Sequence, residues 1–311
     1  MSEPAVSVVV PTRSRPAFLA DALDAIGAMA GDRFEVVVVD SGSPDPVPVA
    51  EVVRRAGARL VRCERPGISL ARNTGVAAAR GAIIAFTDDD CAPDPRWVEA
   101  IVAAFENHPD TAFLTGRTSA GEGRGGRGQI QLSVQEDTEP AVFAGADDDP
   151  FTMGHGANMA WRADALQQLG GFDELLGTGA RLRAAEDTDA FWRARRHSLI
   201  GRYEPDAVVV HRQWRGRRAQ LHSMHGYGVG VGAVTVKRWR IDHGGDRSWL
   251  RAEMARLVWH DGLVGVVGDL ARGYEATAAA RAVSTAGVVR GATLASRLLL
   301  DREHFQSPST S

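Results

Sequence analysis

Three consecutive aspartates, Asp88-Asp89-Asp90, end an apolar run in "AIIAFTDDDCAPDPRW". Like charges crowded at one point repel, and a chain needing only a turn there is better served by Asn, Gly or one Asp. A positive partner is therefore expected. Side chains alternate along an extended segment, which predicts Asp88 and Asp90 on one side and Asp89 on the other. Two carboxylates on one face suit a hard divalent cation, Mn2+ or Mg2+, whose remaining positions take phosphate oxygens and water. A second triplet, Asp147-Asp148-Asp149 after "AVFAGA", is the internal control. It lacks the strand before and the helix after, and reads as a solvated loop.

The elements that must position these groups are legible as alternating periodicities. Four β-branched runs, Val6–Val10, Phe34–Val39, Arg59–Cys63 and Ala82–Phe86, alternate with helical patterns at Ala17–Met29, Val47–Ala56 and Leu70–Arg80. The runs lack polar alternation, as parallel strands covered on both faces should, so a doubly wound α/β sheet is expected. Its ligand crevice belongs at the carboxyl ends of the strands. There stand "PTRSR", "DSGSPD" and the first aspartate triplet. Asp94 and Pro95 read as the N-cap and first position of a helix running to about Asn107. Further on, helices are expected from Asp164 to about Leu169 and from about Asp187, and a strand at Ala207–His211. "GEGRGGRG", Gly121–Gly128, reads as a linker, with a mobile lid on a phosphate ligand as the alternative, and "SPSTS" at the end as disordered. Beyond Trp214 the pattern becomes helical, with Leu250, Met254, Leu257 and Val258 on one face.

Composition narrows the function classes. The chain has 311 residues, 44% of them hydrophobic, a net charge of −3 and a pI near 6.3, a balance that argues against general nucleic-acid binding. Cys63 and Cys91 show no metal or disulfide spacing and fit a reducing cytoplasm. No basic stretch precedes the first apolar run, so no signal peptide is expected, and no run is long enough to cross a bilayer. The average conceals an asymmetry: Arg212–Arg302 holds 15 Lys+Arg against 7 Asp+Glu, whereas residues 1–211 hold 21 against 31. The two parts are expected to face different partners.

Five segments in order, "VVVPTRSR", "VVVVDSGSPD", "GISLARNTGVAAARGAIIAFTDDDCAPDPRW", "GHGANMAWRADALQQLGGFDELLG" and "AAEDTDAFWRARR", resemble the family-2 glycosyltransferases of GT-A fold over roughly residues 5–215. The resemblance implies a Rossmann-like, mostly parallel sheet flanked by helices in residues 1–215, which bind a nucleotide-diphosphate sugar and catalyse its inverting transfer to an acceptor hydroxyl. It leaves residues 216–311 as a basic, mainly helical extension for acceptor, membrane-surface or dimer contacts. Pro11, Thr12, Arg15, Asp40, Arg72, Asp88 and Asp89 match donor-binding positions, with Asp40 reading the base edge. Asp90 matches the metal-binding carboxylate, and His211 a metal-shell histidine in several members. Asp187 matches the general base, with Glu186, Gly156, Asn158 and Trp214 lining the sugar or acceptor. Asp40 also reads as a turn-former before Ser-Gly, and Asp187 as a helix N-terminal acid with Asp189 as rival base.

Ser14 stands where many members carry Asn, and uridine is preferred over guanosine or thymidine as the base. A glycan, a lipid-linked molecule and a small molecule all remain open as acceptor. The basic part is open to peripheral contact with the inner face of the membrane or to packing within a homodimer. A sugar nucleotidyltransferase would need a Gly-rich loop that "PTRSRPAF" lacks, and a DxDxT phosphatase would need Thr where Ala92 stands. A non-catalytic sugar-nucleotide binder would have no need of Asp187 or His211.

Overall fold

Strand β1 (Val6–Thr12) is buried along its whole length, with β2 (Phe34–Ser41) and β4 (Ile83–Thr87) paired parallel on either side. The computed structural model describes residues 4–29, 33–121, 132–145, 148–212, 215–272 and 274–307. Two units divide the chain: Met1–Gly123 with Ser133–Phe172 and Asp187–Arg212, and Arg124–Leu132 with Asp173–Glu186 and Gln213–Ser311.

The first unit is built on a nine-stranded sheet. β3 (Arg59–Cys63) extends the parallel group beyond β2, and β8 (Asn158–Arg162) joins β4 antiparallel. Then follow β6 (Thr111–Ala120), β9 (Ile200–His211) and β5 (Cys91–Pro93), with β7 (Ala141–Phe143) also on β9. The mostly parallel α/β sheet expected from the apolar runs is thus present. Strand alternation divides its core. Val6, Val8 and Val10 pack with Leu19, Leu23 and Ile26 of α1 (Pro16–Gly27) and Trp97 of α4 (Trp97–Asn107). On the other face Val9, Val37 and Val39 pack with Ala71 of α3 (Ile68–Ala78), Leu166 of α5 (Ala163–Leu169) and Phe191 of α6 (Glu186–Arg196). A buried valine side chain contributes roughly 1.5–3 kcal/mol relative to an exposed one, so this double covering holds the strand ends in place. α2 (Val47–Ala56) closes on Gly57, whose φ of 66° suits the left-handed cap.

Several boundaries differ from the sequence reading. α4 begins at Trp97 rather than beside Pro95, because Asp94 first makes a turn: its side chain accepts from the Arg96 N–H and its carbonyl from the Trp97 N–H. β6 and β8 were not signalled, and β9 starts at Ile200 rather than Ala207. In the second triplet, Asp148 accepts from the Gly145 N–H and Asp149 from the Phe151 N–H, both local turns. Asp147, the glycine-rich stretch after Gly121 and the final "PSTS" lie outside the described residues.

The second unit is helical: α7 (Arg217–Ile241), α8 (Arg247–Ala255), a π-helical stretch (Arg256–Val264), α9 (Gly265–Ala271) and α10 (Glu275–Ala295), followed by a hairpin of β10 (Leu299–Asp301) and β11 (His304–Gln306). "GYGVGVG" lies inside α7. Its Gly228 and Gly232 face α10, while Gly287 and Gly291 of α10 face α7. A Cβ at Gly228 would come within 1.9 Å of the Ser284 carbonyl oxygen, and one at Gly291 within 2.0 Å of that of Val229. The glycines let the two backbones touch, as in small-residue helix pairs generally. Leu250, Met254, Leu257 and Val258 are half-buried, whereas Trp259, Leu263, Val267 and Leu270 are exposed. Among the described residues, no helix is long and apolar enough to cross a membrane. Lys237 of α7 is buried against Asp173 at 2.6 Å, and Asp173 also accepts from the Phe305 N–H.

Gly291→Ala is expected to lower the unfolding free energy by about 1–3 kcal/mol, the usual cost of overpacking, in urea titration monitored by far-UV circular dichroism. Ala286→Ser, at an exposed position of the same helix, should change it by less than about 0.5 kcal/mol.

Candidate active site

The loops that leave β1, β2 and β4 carry the first group of side chains. Pro11 is buried in β1 opposite Val39, and Thr12 is in register with Asp40. Pro16 then starts α1 at once, which holds Arg15 at the helix's first turn. From there Arg15 reaches the aspartate triplet: Nη2 lies 2.9 Å from Asp89 and Nη1 lies 3.0 Å from Asp90. The positive partner demanded by the triplet therefore includes a residue of the chain itself.

The triplet is a turn, not an extended strand. The Cys91 N–H bonds the Asp88 carbonyl across it, so the alternation expected from the sequence fails. Asp89 and Asp90 share Arg15, while Asp88 faces Arg72 at 3.6 Å. Asp89 is fully buried and accepts from Thr12 Oγ1 at 2.7 Å. Burial, with the charges of Asp90 and Asp88, pushes its carboxyl up to about 7 against the pull of Arg15 and Thr12.

Asp40 stands at the end of β2 with its carboxylate buried. One oxygen accepts from the Ser43 N–H at 3.0 Å and the other is paired with Arg62 of β3. Arg62 was missed by sequence reasoning, since nothing in "RLVRC" announces that parallel register places it beside Asp40. Ser43 Oγ accepts in turn from the Ser14 N–H, joining the β1 and β2 loops.

Arg72 is 2% exposed, with Phe86 and Phe172 packed on its guanidinium. It donates to the Gly156 carbonyl at 3.0 Å, and the Gly156 N–H donates to Asp187 at 2.7 Å. A Cβ at position 156 would fall 2.6 Å from Arg72 Nη2. The second Asp187 oxygen accepts from the Thr188 N–H at 2.7 Å. Backbone of one glycine thus joins Asp187 to Arg72 and hence to Asp88. Asp189, the rival base, is fully buried and paired with Arg193 at 2.9 Å, which also holds the carbonyls of Leu169 and Gly171. Asn158 is likewise committed: its carbonyl takes the Trp97 indole N–H and its amide donates to the carbonyls of Arg117 and Ala207. Glu186 is buried at the start of α6, and Trp214 lies outside the described residues.

Antiparallel pairing of β5 with β9 sets Cys91 opposite His211 and brings His211 Nε2 to 3.5 Å from Asp90. Asp90, Cys91 and His211 offer ligand atoms within 4.8 Å of one another, all buried. This donor set fits a divalent cation in two of its members. Carboxylate and imidazole suit Mn2+ or Mg2+, whereas the Cys91 thiol is held protonated by burial and by the charges of Asp88 and Asp90. Asp88 Oδ1 is buried without a hydrogen-bond partner, with Arg72 Nη2 at 3.6 Å. Sequence spacing carried no sign of Cys91, because only the strand pairing brings it to His211.

Residues 7–170 match the profile described as Glycosyl transferase family 2. The chain belongs to this family. It is 30% identical over 232 residues to the pre-mycofactocin glycosyltransferase of Mycobacterium tuberculosis, covering 69% of this chain and 45% of that protein. The chain therefore spans under half the length of this relative. Mannosyltransferase PcManGT from Pyrobaculum calidifontis, solved in complex with GDP-Man and Mn2+, has a TM-score of 0.59 at 20% identity and covers 94% of this chain and 88% of its own. S. aureus TarS 1-349, solved in complex with UDP-GlcNAc, has a TM-score of 0.52 at 19% identity, covering 73% and 66%. Both likenesses are of fold.

The raised Asp89 carboxyl has a measurable consequence. Between about pH 4 and pH 7 the folded chain holds a proton that the unfolded chain has released, so this group's contribution to stability falls as pH rises. Asp89→Asn is expected to flatten the stability profile over that interval in urea unfolding at half-unit pH steps. A slope equal to that of the unaltered protein would place the proton elsewhere.

Proposed function

We propose that this chain is an inverting glycosyltransferase that moves a sugar from a nucleotide-diphosphate sugar, with uridine as the preferred base, to an acceptor hydroxyl. The observation that carries this reading is the linkage Asp187–Gly156–Arg72–Asp88, which couples a fixed carboxylate to the carboxylate cluster through the backbone of one glycine. Asp40 and Arg62 form the base end of the donor site, and Pro11, Thr12 and Arg15 its first loop. Asp88 and Asp89 complete the donor end, with Asp89 fixing Thr12 and Arg15.

Asp90 and His211 would hold the divalent ion. When bound, Mn2+ or Mg2+ supplies Lewis-acid compensation for the charge of the departing diphosphate. Arg15 and Arg72 place guanidinium forks beside the same carboxylates, suited to phosphate oxygens. Two backbone N–H groups orient Asp187; Oδ1 accepts in addition from Thr188 Oγ1 at 3.4 Å, and Oδ2 keeps a second lone pair for an acceptor hydroxyl. Asp187 takes the hydroxyl proton as that oxygen attacks the anomeric carbon. The bond to the diphosphate breaks, its electron pair leaves with the nucleoside diphosphate, and configuration inverts. Gly156 and Asn158 are assigned to the sugar and acceptor side, with Asn158 acting through the backbone of its strand. In this reading the protein works at the cytoplasmic side.

Asp187→Asn is expected to bind donor within about twofold of the unaltered protein while losing transfer by about 100-fold or more, measured with separate binding and turnover assays. Full transfer in that variant would move the base elsewhere. Asp90→Ala is expected to weaken donor binding when Mn2+ is present but not with chelator, in thermal-shift titrations across a panel of nucleotide sugars. Equal weakening under both conditions would remove Asp90 from the metal.

A further inference from the structure

Four basic side chains of the second unit gather without a counter-ion. Arg183 donates to His222 Nε2, and its Cβ lies over Gly226, 3.7 Å from where a glycine Cβ would stand. His222 and His225 are three residues apart on α7 and share a face. His225 is packed against α10 at Gly287, where a Cβ would meet its carbonyl oxygen at 2.3 Å, and Arg290 follows one turn later. Among the described residues no carboxylate pairs with Arg183, His222, His225 or Arg290, whereas Arg256, Arg272 and Arg281 of this unit are paired with carboxylates. Burial, then Arg290, Arg183 and His222, lowers the His225 imidazole below its ordinary value. Arg183 also holds a left-handed backbone, φ 67°, followed by Ala185 at 66°, conformations that a non-glycine residue keeps only where its surroundings impose them.

Crowded cations of this kind call for an anion, as the aspartate triplet calls for a cation. Guanidinium forks and imidazole N–H donors match the tetrahedral oxygens of phosphate, and charge-assisted bonds of this type are the strong ones. Carboxylate ligands fit less well, since the donors come from three separate chain segments rather than one planar fork.

We infer that Arg183, His222, His225 and Arg290 form a binding site for a phosphate or diphosphate group carried by the acceptor. This inference rests on the transfer reading for its acceptor but not for its anion. The anion can arrive as a lipid headgroup or on a soluble sugar phosphate, and the test separates the two.

The full chain, with 15N-labelled histidine rings, is titrated with inorganic phosphate and followed by NMR, with His222→Asn and His225→Asn giving the assignments. Saturating shifts of both rings at low-millimolar phosphate are expected, with binding weakened at least fivefold in Arg290→Gln and in Arg183→Gln. Arg290 is exposed, and an unchanged melting temperature in Arg290→Gln verifies its fold. No saturation by about 50 mM phosphate, or an affinity in both arginine variants equal to that of the unaltered protein, would overturn the site. Vesicles of phosphatidylcholine with phosphatidic acid, compared with glucose 1-phosphate, then assign the source: the probe that reproduces the shifts at the lower concentration is the better mimic. Asp187→Asn should titrate with phosphate as the unaltered protein does, so a failure of the transfer reading leaves this result standing.

Discussion

The site is organised around the compensation of three adjacent carboxylates in a buried turn. Arg15 bridges Asp89 and Asp90, Arg72 faces Asp88, and both guanidiniums are fixed by neighbouring structure. Isolated charges inside a protein would neutralise by taking up protons, and Asp89 already leans that way. The arrangement persists because β1 hands directly into α1 and because Phe86 and Phe172 pack on Arg72. Asp90 divides its two oxygens, one toward Arg15 and one toward His211, so one carboxylate ties the β1 loop to the end of β9.

Much of the first unit was legible in the chain. Val6–Val10, Phe34–Val39 and Ala82–Phe86 are largely apolar runs and Arg59–Cys63 a more polar one, and each is a strand within two residues of its expected limits. β6 and β8 were not, since "TAFLTGRTSA" and "NMAWR" mix small, polar and aromatic residues, and their strand character comes from the partners on either side. Boundaries failed where local turn chemistry competes with periodicity, as at Asp94.

The same contrast holds within the site. The triplet announced itself by charge, but its internal geometry did not follow from strand alternation, because the Asp88–Cys91 hydrogen bond turns the chain. Arg62 and Cys91 depend on register between distant strands and carry no local signal. Asn158 had a plausible polar identity for a ligand pocket, yet all of its hydrogen-bonding groups are spent on Trp97, Arg117 and Ala207. Residue type reveals that a position is special, while only packing reveals toward what.

Lysine usage carries a practical consequence. The chain has a single lysine, and Lys237 is buried with its ammonium against Asp173 and over the Phe305 ring at 4.7 Å. The folded protein consequently presents no lysine side-chain amine to the solvent. Amine-directed crosslinkers and dyes have no lysine to label while the second unit stays folded, and one lysine introduced on the surface becomes a unique attachment point for distance measurements. Reactivity of Lys237 itself would report opening of the helical unit.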